Sequence, residues 1–182
     1  MSEFISLDGV IEAPGGEAGY QHTGWTFDIE EDPAVYEYKG RELAEATALL
    51  LGRTTYEGVA AAWPERDGEF AARFNTMPKY AVSTTLTDPA WSGTEVLRDV
   101  DAVARFRQGE GGPIMVNGSG TLVRALYAAG LVDEWRLMTW PLVLGSGARL
   151  FPDHAEDKQK LTHVDTTTYA NGIQLHVYRP LR

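Results

Sequence analysis

Residues 49–58, LLLGRTTYEG, set three consecutive leucines directly against a glycine, an arginine and two hydroxyl residues. A run that is apolar at every position, rather than at alternate ones, reads as a central strand of a parallel sheet covered on both faces. The polar residues that follow read as the opening of a helix over 54–62. Thr54 and Glu57 have capping-box spacing, which fixes a helix start and aims its free amides outward. Gly52 permits close backbone approach. Arg53 stands beside a helix N-terminus, where the positive end of the dipole attracts an anion. The same residues also fit an ordinary capped helix with a surface arginine.

Two further segments repeat this grammar. The apolar stretch "YAV" (80–82) runs into Ser83-Thr84-Thr85, hydroxyls that can bind a phosphate or satisfy the backbone of a turn. Ile114-Met115-Val116 runs into Asn117-Gly118-Ser119-Gly120-Thr121, followed by helical spacing at Leu122, Val123, Leu126 and Tyr127. A strand feeding a glycine-rich turn and then a helix can cradle a phosphate, or can be a tight turn. It matches neither GxGxxG nor the lysine-bearing P-loop. Ligands of open α/β sheets gather beyond the carboxyl ends of the strands, and all three segments end a strand in small or hydroxyl residues.

The remaining pattern is consistent with one α/β domain over 1–182. Phe4 to Leu7 reads as a strand ending in the Asp8-Gly9 turn, and Pro14 with its neighbouring glycines marks a long loop. Val35, Tyr36, Leu43, Ala44 and Ala46 recur at helical spacing through 34–47. Short helices are expected at 70–74 and 101–106, and strands at 95–97 and 135–140. The segments 162–169 and 173–179 flank Ala170-Asn171-Gly172 as an antiparallel hairpin. Strands alternating with helices predict a central, mostly parallel sheet with helices on both faces.

Composition excludes several classes. The 182 residues are 43% hydrophobic and 10% aromatic, enough for a substantial core. Net charge is −10, from 26 acidic against 16 basic residues, which disfavours nucleic acid and anionic membrane surfaces as partners. Without cysteine there are no disulfides, thiolate nucleophiles or cysteine-held metals. His22, His154, His163 and His176 lack metal-ligand spacing, so no metal site is expected. No apolar segment approaches a membrane span and no signal peptide is legible, so a cytoplasmic protein is expected. Most tryptophans read as core, with Trp25 in the early loop able to wall a pocket for a flat ring.

Five segments taken in order carry a resemblance: FISLDGVI (4–11), LLLGRTTYEG (49–58), MPKYAVSTTL (77–86), IMVNGSGTLVRALYAAGLVDEWRL (114–137) and PLVLGSGARLF (141–151). Together the chain resembles the dihydrofolate-reductase-like superfamily, in the branch of the RibD C-terminal reductase domain of riboflavin biosynthesis. The resemblance implies a dihydrofolate-reductase-like fold and NADPH as cofactor. It also implies hydride transfer to a small heterocyclic substrate, either 5-amino-6-(5-phosphoribosylamino)uracil-like or pterin-like. Gly52, Arg53, Thr54 and Thr55 would meet the pyrophosphate and 2′-phosphate, and Ser83 and Thr84 would flank the 2′-phosphate. Gly118, Ser119, Gly120, Thr121 and Leu122 would hold the pyrophosphate, and the backbone at Val10 and Ile11 would orient the nicotinamide carboxamide. Dihydrofolate reductases carry a carboxylate on the first helix, and counting back from Gly52 lands near Tyr36 and Glu37. The catalytic candidates are Asp8, near the nicotinamide, and Glu37. The branch implies a homodimer with the apolar terminal strands at its interface. A non-catalytic NADPH-binding module is the alternative that binds the same cofactor.

Overall fold

A computed structural model describes residues 1–151 and 158–181. The chain forms two compact units, one of Met1–Val35 together with the segment from Val132 onward, the other of Tyr36–Leu131. Each unit is built on its own four-stranded sheet.

The Tyr36–Leu131 unit is the parallel one. Its sheet has the order β4 (Thr94–Leu97), β3 (Lys79–Val82), β2 (Ala48–Gly52), β5 (Ile114–Met115), with every neighbouring pair parallel. Leu49, Leu50 and Leu51 are 0%, 2% and 1% exposed. Because successive strand side chains point to opposite faces, both faces of β2 are covered. Helices α2 (Arg53–Ala62) and α5 (Gly120–Ala128) pack on β2, and α4 (Val100–Phe106) packs on β4. One face of β2 joins a cluster of Leu43, Leu49, Leu51, Tyr56, Phe74, Met77, Ala81 and Trp91, with Phe74 supplied by α3 (Glu69–Thr76). Leu43 lies on α1 (Pro33–Glu45), where Val35 is also buried, as is Ala46 just beyond the helix, whereas the expected face members Tyr36 and Ala44 are exposed. Each buried leucine contributes roughly 1.5–3 kcal/mol relative to its exposed state, so this cluster is a principal source of the unit's stability.

In the other unit the order is β1 (Ser2–Ser6), β6 (Trp135–Trp140), β8 (Gln174–Pro180), β7 (Leu161–Thr168). β1 and β6 run parallel, and the last three strands alternate in direction. The β7–β8 hairpin is the one expected. Gly172 takes φ +85°, a left-handed value that glycine adopts without strain, and its N–H donates to the Tyr169 carbonyl at 3.0 Å. Strand β1 stops at Ser6 rather than at the expected Leu7, which is 68% exposed in the following turn. Trp25 is not a pocket wall. It opens a short 3₁₀ helix (Trp25–Asp28), is 1% exposed, donates Nε1–H to the Glu12 carbonyl at 2.8 Å, and packs edge-on to Trp140. Among the described residues no helix is long and apolar enough to cross a membrane, and no group of three or more metal-ligating side chains gathers. His154 lies outside the described residues.

Candidate functional site: open helix ends beyond the parallel strands

In the parallel sheet, register brings the ends of β2, β3 and β4 level, with Gly52 beside Val82 and Val82 beside Leu97. The segments just beyond them are those singled out by their hydroxyls and glycines. Helix α2 starts at Arg53, one residue earlier than expected, with Gly52 as its N-cap and no side-chain cap. The capping-box reading of Thr54 and Glu57 is therefore corrected: Thr54 is already inside the helix. Glu57 reaches back along it to Arg53, with Arg53 Nη1 3.0 Å from Oε1 and 3.3 Å from Oε2.

Helix α5 also lacks a side-chain cap, and its N-cap is Ser119 in a left-handed conformation (φ 65°, ψ 41°). A β-carbon makes that region costly for any residue but glycine, so something must hold Ser119 there. The Gly52 N–H donates to Ser119 Oγ at 2.9 Å. This bond ties the mouth of α2 to the mouth of α5. Gly52 faces the same neighbours: a β-carbon there would lie 3.4 Å from both Leu122 Cβ and Ser119 Cβ. Gly118, at φ +58°, comes close to the Thr55 methyl, which a β-carbon would meet at 3.5 Å. Gly52, Thr55, Gly118, Ser119 and Leu122 are thus neighbours, with Arg53, Thr54, Gly120 and Thr121 in the adjoining first turns.

Neither first turn contains an acidic residue. Each helix of this kind leaves its first N–H groups without intrahelical partners and carries a positive dipole end, together a receptor for phosphate oxygens. In this pair of ends backbone N–H groups rather than side chains supply the donors, and glycine leaves room for close approach.

The Ser83 turn is different. Ser83 is buried, and its Oγ accepts the N–H groups of Thr85 at 3.2 Å and Leu86 at 2.9 Å. The Ser83 hydroxyl oxygen is therefore already used in closing its own turn, as in the plainer of its two readings, while Thr84 is exposed. Sequence reasoning missed Arg98, the residue after β4, whose Nη1 donates to the carbonyls of Leu86 (2.8 Å) and Ser83 (3.3 Å). No local pattern marks it, because it is brought to that turn only by strand pairing.

Asp8 and the backbone at Val10 and Ile11 lie in the other unit, where the turn after β1 is closed on itself. Asp8 accepts hydrogen bonds from Ser6 Oγ (2.7 Å) and from the N–H groups of Leu144 (3.1 Å) and Gly145 (2.9 Å). Burial alone would raise its pKa, but these bonds outweigh it and hold the carboxyl at about 2 instead of 3.8. Asp8, the catalytic candidate, is therefore ionised at neutral pH, and through these bonds it anchors the loop at Leu144 and Gly145. Val10 donates to Ser6 Oγ (2.9 Å) and Ile11 donates to the Ala148 carbonyl (2.9 Å), so both N–H groups are spent. A carbonyl has two lone pairs, so Val10 and Ile11 can still accept a bond from an amide but cannot donate one. Glu12 holds the same loop by accepting the Ala148 N–H at 2.7 Å.

Glu37 is on an exposed position of α1. The buried carboxylate of that helix is Glu42, 4% exposed and paired with Lys39. Its spacing from Val35, Leu43 and Ala46 was the available signal. Lys79 was also missed. It is 1% exposed on β3, its Nζ donates to the carbonyls of Asn75 (2.7 Å), Met77 (2.9 Å) and Ser92 (3.0 Å), and burial pushes its pKa down. Those carbonyls include the C-terminal end of α3, so its role is structural.

Comparison with known proteins agrees with this architecture. The Bacillus subtilis (strain 168) protein YyaP, itself described as uncharacterized, is 26% identical over 187 residues, covering 96% of this chain and 90% of its own length. Among solved structures, a Shewanella sp. PV-4 protein assigned to riboflavin biosynthesis superposes with a TM-score of 0.76 at 19% identity, over 99% of this chain and 97% of that one. Dihydrofolate reductase from Enterococcus faecalis, complexed with NADP(H) and RAB-propyl, superposes with a TM-score of 0.66 at 15% identity, over 99% and 94%. The fold is thus that of dihydrofolate reductase. The RibD C-terminal domain model matches residues 1–175, across both units, and the chain belongs to that family.

Proposed function

We propose that this protein is an NADPH-dependent reductase acting on a small heterocyclic substrate of the phosphoribosylamino-uracil or pterin kind. Family membership supports the reaction class. One observation in the molecule carries the cofactor: two uncapped helix starts, α2 and α5, braced by the Gly52 N–H to Ser119 Oγ bond.

In this reading the first-turn N–H groups of α2 and α5 hold the pyrophosphate. Gly52 and Gly118 keep side-chain bulk out of the way, and Thr54, Thr55 and Thr121 offer hydroxyls beside those ends. Arg53 forks the 2′-phosphate through charge-assisted bonds, with the exposed Thr84 two residues beyond Val82, the register partner of Gly52 on the neighbouring strand. The bound cofactor supplies the hydride, and the chain supplies orientation and exclusion of water. Asp8 serves this chemistry by fixing the 144–147 loop and stays ionised throughout.

The test is thermal melting with NADPH. A ligand present at 100 times its Kd adds about 2.7 kcal/mol of stability, a shift readily measured. No shift at millimolar NADPH would end the proposal. NADPH binding without oxidation against pterins, phosphoribosylamino-pyrimidines and small ketones would favour the non-catalytic module. We also propose a homodimer through β7, the sheet edge, all of whose residues are exposed, Leu161 and Val164 among them. Sedimentation at micromolar concentration tests it, and a monomer there would refute it.

A further inference from the structure

We propose that Glu57 sets the cofactor selectivity of this site, narrowing its preference for a 2′-phosphorylated nucleotide over one with a free 2′-hydroxyl. This rests on the NADPH-reductase reading above. Arg53 and Glu57 stand one turn apart on α2, their side chains 50% and 49% exposed, and they are joined by the two short contacts from Nη1. An arginine that forks a phosphate dianion must present N–H groups that are here shared with a carboxylate. The carboxylate also leaves a negative charge beside the incoming phosphate. At separations of roughly 5–8 Å, a unit charge alters the binding of a dianion several-fold in a water-like dielectric, and salt screens the effect.

A 2′-hydroxyl experiences the opposite. It is a donor, and a carboxylate is the group that accepts it in many dinucleotide sites. One turn of α2 therefore carries a receptor for each form: a guanidinium for the phosphate and a carboxylate for the hydroxyl. The first turn of α2 holds no charged side chain besides Arg53, and Glu57 follows one turn on, so the two act at the same helix end. With net charge −10 the surrounding field adds nothing to retain an extra anion, and the local balance decides the outcome.

The experiment measures binding of 2′-phospho-AMP, AMP, NADPH and NADH to the full chain by calorimetry. The proteins are wild type, Glu57→Gln and Glu57→Ala, each at low salt and at high salt. The expected result is that both variants raise the ratio of 2′-phospho-AMP to AMP affinity by about three- to tenfold at low salt. That gain shrinks at high salt, and NADH binding weakens. Melting of the unliganded variants checks that the half-exposed position tolerates the change. Ratios within twofold of wild type in both variants overturn the role of Glu57. A wild type that binds none of the four nucleotides overturns the reductase reading instead, so the two failures are distinct.

Discussion

The turn after β1 and the turns after β2 and β5 have the same position in the grammar of an α/β fold, yet they are finished in opposite ways. After β1, the Ser6 hydroxyl, the Asp8 and Glu12 carboxylates and the N–H groups of Val10, Ile11 and Leu150 are spent within the turn or on the 142–149 loop. After β2 and β5 Ser119 Oγ accepts the Gly52 N–H, and two helix starts are left without side-chain caps. One strand end satisfies itself, and the other leaves backbone donors available, as the proposed cofactor site requires. Residue type does not distinguish them, since both contain glycine, serine and a charged side chain. What separates them is where each donor goes.

The strongest way to break the contrast is to block the open end. Gly52→Val would drive methyls into Ser119 and Leu122, which already lie 3.4 Å from an ideal β-carbon. We expect stability to fall by about 1–3 kcal/mol and the NADPH melting shift to vanish. A folded variant with a wild-type shift would contradict the placement.

Next in size is the closed end. Asp8→Asn should cost about 2 kcal/mol at pH 7 by urea unfolding, because the folded carboxyl titrates near 2 and the unfolded one near 3.8. A depressed folded pKa contributes stability above the unfolded value and loses it as pH falls through the folded one. The difference between the two proteins should therefore shrink between pH 4 and pH 2, with NADPH binding outlasting the change at neutral pH. A constant difference across that range would show that charge is not what Asp8 contributes.

Two serine truncations sharpen the comparison. Ser119→Ala and Ser83→Ala should each cost about 1 kcal/mol, since each removes the acceptor of a backbone N–H. Only Ser119→Ala should weaken nucleotide binding, because only that bond braces the two helix starts. The smallest effect on stability belongs to Arg53→Ala. Its pair with Glu57 is exposed and worth no more than about 0.5 kcal/mol, whereas the gap between NADPH and NADH affinities should narrow.

Much of this could be read from sequence. Three adjacent leucines identified β2, the glycines and Asn171 marked the turns, and the order of motifs carried the fold. The glycines at 52 and 118 with Ser119 also belonged together as expected, because each follows a parallel strand. What escaped was pairing over long separations. Asp8 is locked by residues 144 and 145, Arg98 reaches Ser83 through strand register, and Lys79 joins the carbonyls at the end of α3 to that of Ser92. Local patterns hold no record of such partners. Asp8 therefore read as a free polar group, with no sign of the three hydrogen bonds its carboxylate accepts.

The most direct measurement is an amide-resolved NMR titration of the ¹⁵N-labelled chain with NADPH. The account predicts the largest shifts at the N–H groups of Arg53, Thr54, Gly120 and Thr121, with those of Leu144 and Gly145 little changed. NADPH that binds while those four amides stay still would contradict it.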